Sequence, residues 1–152
     1  MVCFMFGGIA VAGNLLCVSY TDVRGKVFLV DLDDRRLVSR WSYEGPDGSY
    51  ADAGGIAMDD SFHVWIADTA NDMVRRFTAF GRELAQFGER PTRGAGAVSR
   101  DRHGTFDRPV QVAVRGRTVW VCCGERKLVG GQEDQIIQIA SSLANREMAV
   151  SA

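Results

Sequence analysis

Histidine, proline and spaced cysteines are scarce in this chain, and a long apolar run is lacking. Only His63 and His103 are present, with three prolines and four cysteines, in 152 residues. The cysteines are Cys3, Cys17, Cys122 and Cys123; no C-x-x-C pair occurs, and a disulfide between the neighbours Cys122 and Cys123 would be strained. That excludes a secreted disulfide framework, and a zinc site would lack its spaced ligands. No metal and no cofactor is expected. G-x-S-x-G is missing, and neither Gly7-Gly8 nor Gly130-Gly131 leads into the helix and Lys-Ser/Thr of a phosphate loop. No catalytic residue is therefore assigned. The opening MVCFMFGGIAVAG is apolar but has no basic start and is broken by glycine, so it does not read as a signal peptide. No stretch reaches membrane-spanning length. A cytoplasmic chain without a membrane partner is expected.

A helical hydrophobic period is also missing, apart from SSLANREMA, which fits one short helical turn as a rival to a last hairpin. The chain has instead 17 glycines and short β-branched runs. These suit an all-β fold with many tight turns. The clearest unit is GGIAMDDSFHVWIADTANDMVRRFTAFGRELAQFG, Gly54 to Gly88, which reads as four strands. A weaker copy starts about 47 residues earlier at Gly7, and another starts at Pro109. A repeat of that length is the mark of a β-propeller blade.

First strands are predicted at Gly8–Val11, Gly55–Met58 and Gln111–Val114, and each carries a mid-strand alanine. Alanine is depleted in sheets, and it suits an inner strand crowded near a common axis. Second strands follow at Leu15–Ser19, His63–Ala67 and Thr118–Cys122. Trp65 and Trp120 fall at the same place in two copies, where large rings would pack between neighbouring blades. Third strands are expected at Lys26–Asp31, Met73–Thr78 and Gln135–Ala140. Fourth strands are expected at Leu37–Trp41, Leu84–Phe87 and Met148–Ser151. Cys3–Phe6 reads as a lead strand whose own blade is missing. The whole chain, 1–152, is one partial propeller, with blades at about 7–53, 54–92 and 109–152 and an inserted loop at 93–108.

The second copy resembles the NHL repeat. The matching residues are Ile66-Ala67-Asp68-Thr69 and Asn71, then Val74, Phe77, Gly81 and Phe87-Gly88, with Phe106-Asp107-Arg108-Pro109 as the approach to the next repeat. The motif's His and Leu positions hold Asp72 and Met73, and the third copy has Cys123 where Asp68 stands. The resemblance implies a six-bladed propeller acting as a platform for proteins, RNA or small ligands. Asp68 and Asn71 would hold the turn between strands structurally. Three copies make half a ring, which leaves two apolar blade faces bare. Either two chains close the ring as a homodimer, or the remainder belongs to a longer propeller.

The connection GERPTRGAGAVSRDRHGTFDRP carries Arg90, Arg93, Arg100, Arg102, His103 and Arg108. Long loops on a rigid scaffold often carry recognition, and arginines grip carboxylates and phosphates. These six residues are the candidate partner-binding set, the partner being a protein or another acidic molecule. No aromatics interleave with them, which disfavours single-stranded nucleic acid, although an RNA-binding NHL domain stays open. So does a fragment of a propeller lyase or hydrolase. Charge is split along the chain: residues 1–72 carry 5 basic and 11 acidic side chains, and residues 73–152 carry 13 basic and 8 acidic.

Overall fold

The computed structural model describes residues 5–22, 24–88, 106, 108–124 and 135–139. These residues are all-β, with two short 3-10 turns and no α-helix. Strands β1 (Met5–Ala12), β2 (Leu15–Thr21), β3 (Gly25–Asp31) and β4 (Arg36–Tyr43) form one antiparallel sheet in chain order. A second antiparallel sheet holds β5 (Ala53–Met58), β6 (Val64–Asp68), β7 (Met73–Phe77) and β8 (Glu83–Phe87). In the third, β10 (Thr118–Cys123) lies between β9 (Pro109–Arg115) and β11 (Gln135–Ile139).

The turn chemistry explains the meanders. Gly13 and Gly116 sit at φ of 55° and 57° between the first two strands of their sheets, a conformation that costs glycine little. In the second sheet Asp59 makes the corresponding turn by accepting the backbone N–H groups of Ser61 and His63 at 2.9 Å each.

Two apolar clusters join the sheets. Cys17, Val27, Leu29 and Tyr43 of the first sheet bury against Ile56, Met58, Val64, Ile66 and Phe77 of the second. Ala57, Trp65, Val74 and Phe87 on the second sheet's other face meet Val112, Val119, Val121 and Cys123 of the third, with Phe106 between them. The middle sheet is thus covered on both sides, and all five residues of β6 are buried. Trp41 fastens the first joint: its indole N–H donates to the Ala79 carbonyl at 3.1 Å, and its ring lies 5.0 Å from that of Phe77.

Glycine sets the spacing of the inner strands. A Cβ on Gly8 would press on the Ile56 side chain, and one on Gly55 would collide with the side chain and Cα of Gln111. β5 therefore lies close between β1 and β9. The mid-strand alanines Ala10 and Ala57 lie in the two joints as well, beside these glycines.

One expectation on the strands changes. Met5 and Phe6 do not form a separate lead strand. They continue β1 and pair with Thr21 and Tyr20, because an irregularity between Phe6 and Gly8 carries the strand through Gly7. Cys3 and Phe4, the fourth strand expected at Met148–Ser151 and the short helical turn of SSLANREMA lie outside the described residues. Among the described residues, no helix is long and apolar enough to cross a membrane.

Candidate functional site

A buried polar cluster and a hollow beside it occupy the loop end of the second sheet, next to the third. Asp68 ends β6, and the following Thr69–Asn71 turn closes with Asp72 in the left-handed region at φ 55°. Asp68 is 0% exposed and Asn71 1%. The Asn71 amide donates to both Asp68 carboxylate oxygens at 3.0 Å and to the Tyr50 carbonyl at 2.9 Å. Asp68 also accepts the Asp52 backbone N–H at 3.2 Å. The pair therefore reaches past its own turn and clamps the segment that enters from the first sheet.

Arg75 completes the cluster from β7. Its guanidinium lies 3.3 Å from Asp68 Oδ2, and it donates to Glu83 at 2.9 Å and 2.8 Å and to the Glu44 carbonyl. It also lies over the Tyr43 and Phe77 rings, at 4.9 Å and 5.2 Å. Burial pushes the Asp68 carboxyl above its usual range; the bonds from Asn71 and Asp52 and the Arg75 charge oppose this without cancelling it. Burial likewise acts to raise Glu83, but its bonds with Arg75 and Gln86 hold it below the usual glutamate value.

The hollow, about 280 Å³, is lined by Asp52, Thr69, Ala70, Asp72 and Arg108. Asp72 Oδ1 accepts the Arg108 backbone N–H at 2.9 Å, which fixes that residue at a φ of 49°. The Arg108 carbonyl accepts the Gly124 N–H at 3.0 Å. The Thr69 hydroxyl donates to the Pro109 carbonyl at 2.7 Å, and Asp52 Oδ1 accepts the Thr21 hydroxyl at 3.3 Å. The hollow thus lies where connections of the three sheets meet. Two carboxylates, a hydroxyl and an exposed guanidinium can both accept and donate hydrogen bonds to a ligand.

Of the six basic residues proposed for partner binding, Arg108 lines this hollow. Arg90, Arg93, Arg100, Arg102 and His103 lie outside the described residues. Trp65 is buried between the second and third sheets; it stacks on Phe87 at 5.4 Å and donates to Asp59 Oδ2 at 2.9 Å. Trp120 points to the opposite side of the third sheet and is half-buried. Asp52, Thr69, Ala70 and Asp72 went unnoticed as hollow residues in the sequence, because they come from connections whose nearness only the packing of the sheets creates. Arg75 was missed because an arginine in an alternating strand reads as solvent-facing. Among the described residues, no group of three or more His, Cys, Asp and Glu side chains is placed to hold a metal.

Comparison with known proteins divides the chain. Residues 108–145 match the family model of the DmpG-like communication domain. Over 39 residues, 26% of this chain, the sequence is 54% identical to 4-hydroxy-2-oxovalerate aldolase 5 of Rhodococcus opacus (strain B4). That match spans 11% of the aldolase. Among solved structures, a luciferin-regenerating enzyme matches 78% of this chain and 37% of its own, at a TM-score of 0.51 and 12% identity. That neighbour has a propeller-like fold, and the likeness bears on fold alone. The chain is therefore similar to a propeller-like structure over most of its length and to an aldolase's communication domain over residues 108–145.

Proposed function

We propose that the chain is a non-catalytic binding module: three blades, half of a six-bladed NHL-type propeller. Its loop end receives a segment of a protein partner. The observation that carries this reading is the hollow where Arg108 meets Asp52, Thr69 and Asp72. Its mixed donors and acceptors suit a peptide stretch with an acidic side chain, the carboxylate pairing with Arg108. The basic connection around Arg93 to His103 would extend the same contact. The Asp68–Asn71–Arg75 cluster serves as the rigid floor, since its polar atoms are spent on one another, on backbone and on the Ser49 and Glu83 side chains.

The test is fluorescence anisotropy with a labelled acidic decapeptide, for the wild type and Arg108→Ala. Binding that weakens about tenfold on substitution, and also weakens with salt, supports the reading. Equal affinity for both proteins overturns it. Tighter binding of a single-stranded RNA of equal charge would favour the RNA-binding alternative.

A second reading rests on the match over residues 108–145. A segment similar to a communication domain would serve as a contact element toward another enzyme unit. Deleting residues 125–152 separates the two readings: peptide binding at Arg108 would survive, and contact with an aldolase-type partner would not.

A further inference from the structure

We infer that the hollow at Arg108 takes a segment in which an ammonium group stands close to a carboxylate, the ammonium held by Asp52 and Asp72 and the carboxylate by Arg108. This rests on the binding-module reading and names the charge pattern of its ligand.

The lining sets the carboxylates of Asp52 and Asp72 against the guanidinium of Arg108. A purely acidic ligand gains Arg108 but meets two like charges. A purely basic one gains the carboxylates but meets Arg108. A ligand with one group of each sign pairs favourably with all three.

Hydrogen bonding selects the same ligand. The Thr69 hydroxyl donates its one hydrogen to the Pro109 carbonyl at 2.7 Å, so toward a ligand it is an acceptor. Asp52 Oδ1 accepts the Thr21 hydroxyl, and Asp72 Oδ1 accepts the Arg108 backbone N–H. A carboxylate has about four acceptor sites, so one such bond leaves each with capacity for a ligand. Three of the four polar side chains in the lining therefore accept, and Arg108 donates. An ammonium group, which only donates, fits the three acceptors, and a carboxylate fits the guanidinium.

These groups are held in place before a ligand arrives. The Asp52 N–H donates to Asp68 Oδ1 at 3.2 Å, and its carbonyl accepts the N–H groups of Gly54 and Thr69 at 3.0 Å and 3.2 Å. Asp72 stands at φ 55°, and its bond to the Arg108 N–H ties the Thr69–Asn71 turn to the start of β9. The Arg108 carbonyl is fixed in turn by the Gly124 N–H at 3.0 Å. A cradle already ordered lowers the cost of binding a short segment.

Fluorescence anisotropy on the 152-residue chain tests this with labelled Gly-Ser decapeptides, acetylated at the amino end. One carries Glu-Gly-Lys, which puts both charges on one side of an extended chain. A matched peptide has acetyl-lysine in place of the lysine. The lysine peptide is expected to bind about tenfold more tightly. Asp52→Asn and Asp72→Asn keep an oxygen for Thr21 and for the Arg108 N–H, and each should remove most of that preference. Arg108→Ala should weaken both peptides. A third peptide, with glutamate third from a free amino terminus and no lysine, separates the two sources of an ammonium group. If it binds more tightly than the lysine peptide, the hollow reads a chain end; if less tightly, a side chain; the inference holds either way. Equal binding of the lysine and acetyl-lysine peptides by the wild type overturns it, whether or not the variants fold. A preference that survives in both Asn variants also overturns it, since the lysine would then be read elsewhere. Where equal binding still depends on Arg108, the binding module stands without the cation site. Where neither peptide depends on Arg108, that reading fails as well.

Discussion

Asp68 and Arg75 meet at 3.3 Å in the interior of the second sheet, where their side chains are 0% and 5% exposed. Neither is buried alone: Asn71 and the Asp52 N–H share Asp68, and Glu83 and the Glu44 carbonyl share Arg75. A pair so enclosed is worth little compared with an apolar replacement, but breaking it from one side strands a charge. Arg75→Ala is expected to cost about 3–5 kcal/mol of unfolding free energy. Urea denaturation followed by tryptophan fluorescence measures this; a loss well under 1 kcal/mol would contradict the burial described.

Trp65 makes a second prediction. It fills the joint between the second and third sheets and also holds Asp59 through its indole N–H. Trp65→Ala is expected to cost about 3–5 kcal/mol through the cavity it leaves. Trp65→Phe keeps much of the packing and should cost less, about 1–3 kcal/mol, chiefly by removing the indole donor from Asp59 Oδ2. Equal losses for the two variants would mean that packing contributes nothing at this position.

Acid should destabilise the fold through Asp59 and Glu83. Burial alone would raise Asp59, but bonds from the Trp65 indole and the His63 and Ser61 N–H groups, with the nearby His63 charge, hold it below 3.8. Glu83 is held below 4.5 in the same way by Arg75 and Gln86, against the effect of burial. Both carboxyls therefore bind protons more weakly folded than unfolded. Their stabilisation is complete above the unfolded values and is lost as pH falls through the lowered folded ones. Asp68, raised by burial, has the opposite sign: its ionisation opposes folding as pH rises past 3.8. Stability measured from pH 6 to pH 3 should fall, and fall less steeply in Asp59→Asn. An identical slope in that variant would contradict the assignment.

Cysteine reactivity should separate the interior from the outer face. Cys17 is 0% exposed, and burial pushes its thiol up to about 12. Cys122 is half-buried on the outer side of the third sheet. Alkylation at pH 8 followed by peptide mass spectrometry should label Cys122 in the folded chain and Cys17 only on unfolding. Comparable labelling rates at the two sites would place Cys17 at the surface.

Much of the strand order was legible in the sequence, because local chemistry dictates it. Gly13-Asn14 and Arg115-Gly116-Arg117 signal hairpins whatever surrounds them, and eleven of the predicted strands overlap observed ones. What the sequence hid depends on contacts between sheets. Asp68 reads as a turn former, yet its partners include Asp52 N–H and Arg75, which a neighbouring segment and the next strand bring in. The hollow draws Asp52, Thr69, Asp72 and Arg108 from separate connections, and of these only Arg108 stood out as a charge in a long loop. Trp65 and Trp120 look equivalent in sequence and lie at equivalent places; they differ because, among the described residues, only Trp65 has a sheet packed over it.

Glycine-bearing inner strands let successive sheets pack side by side, and Gly55 lies against Gln111 where a substitution can probe that approach. A Cβ on Gly55 would meet the Gln111 side chain and its Cα. A double-mutant cycle of Gly55→Ala and Gln111→Gly should show Gly55→Ala costing about 1–3 kcal/mol in the wild-type background. It should cost distinctly less beside Gln111→Gly, giving a coupling of about 1 kcal/mol or more. Strictly additive losses would mean that β5 and β9 do not touch, and the stacked arrangement would be wrong.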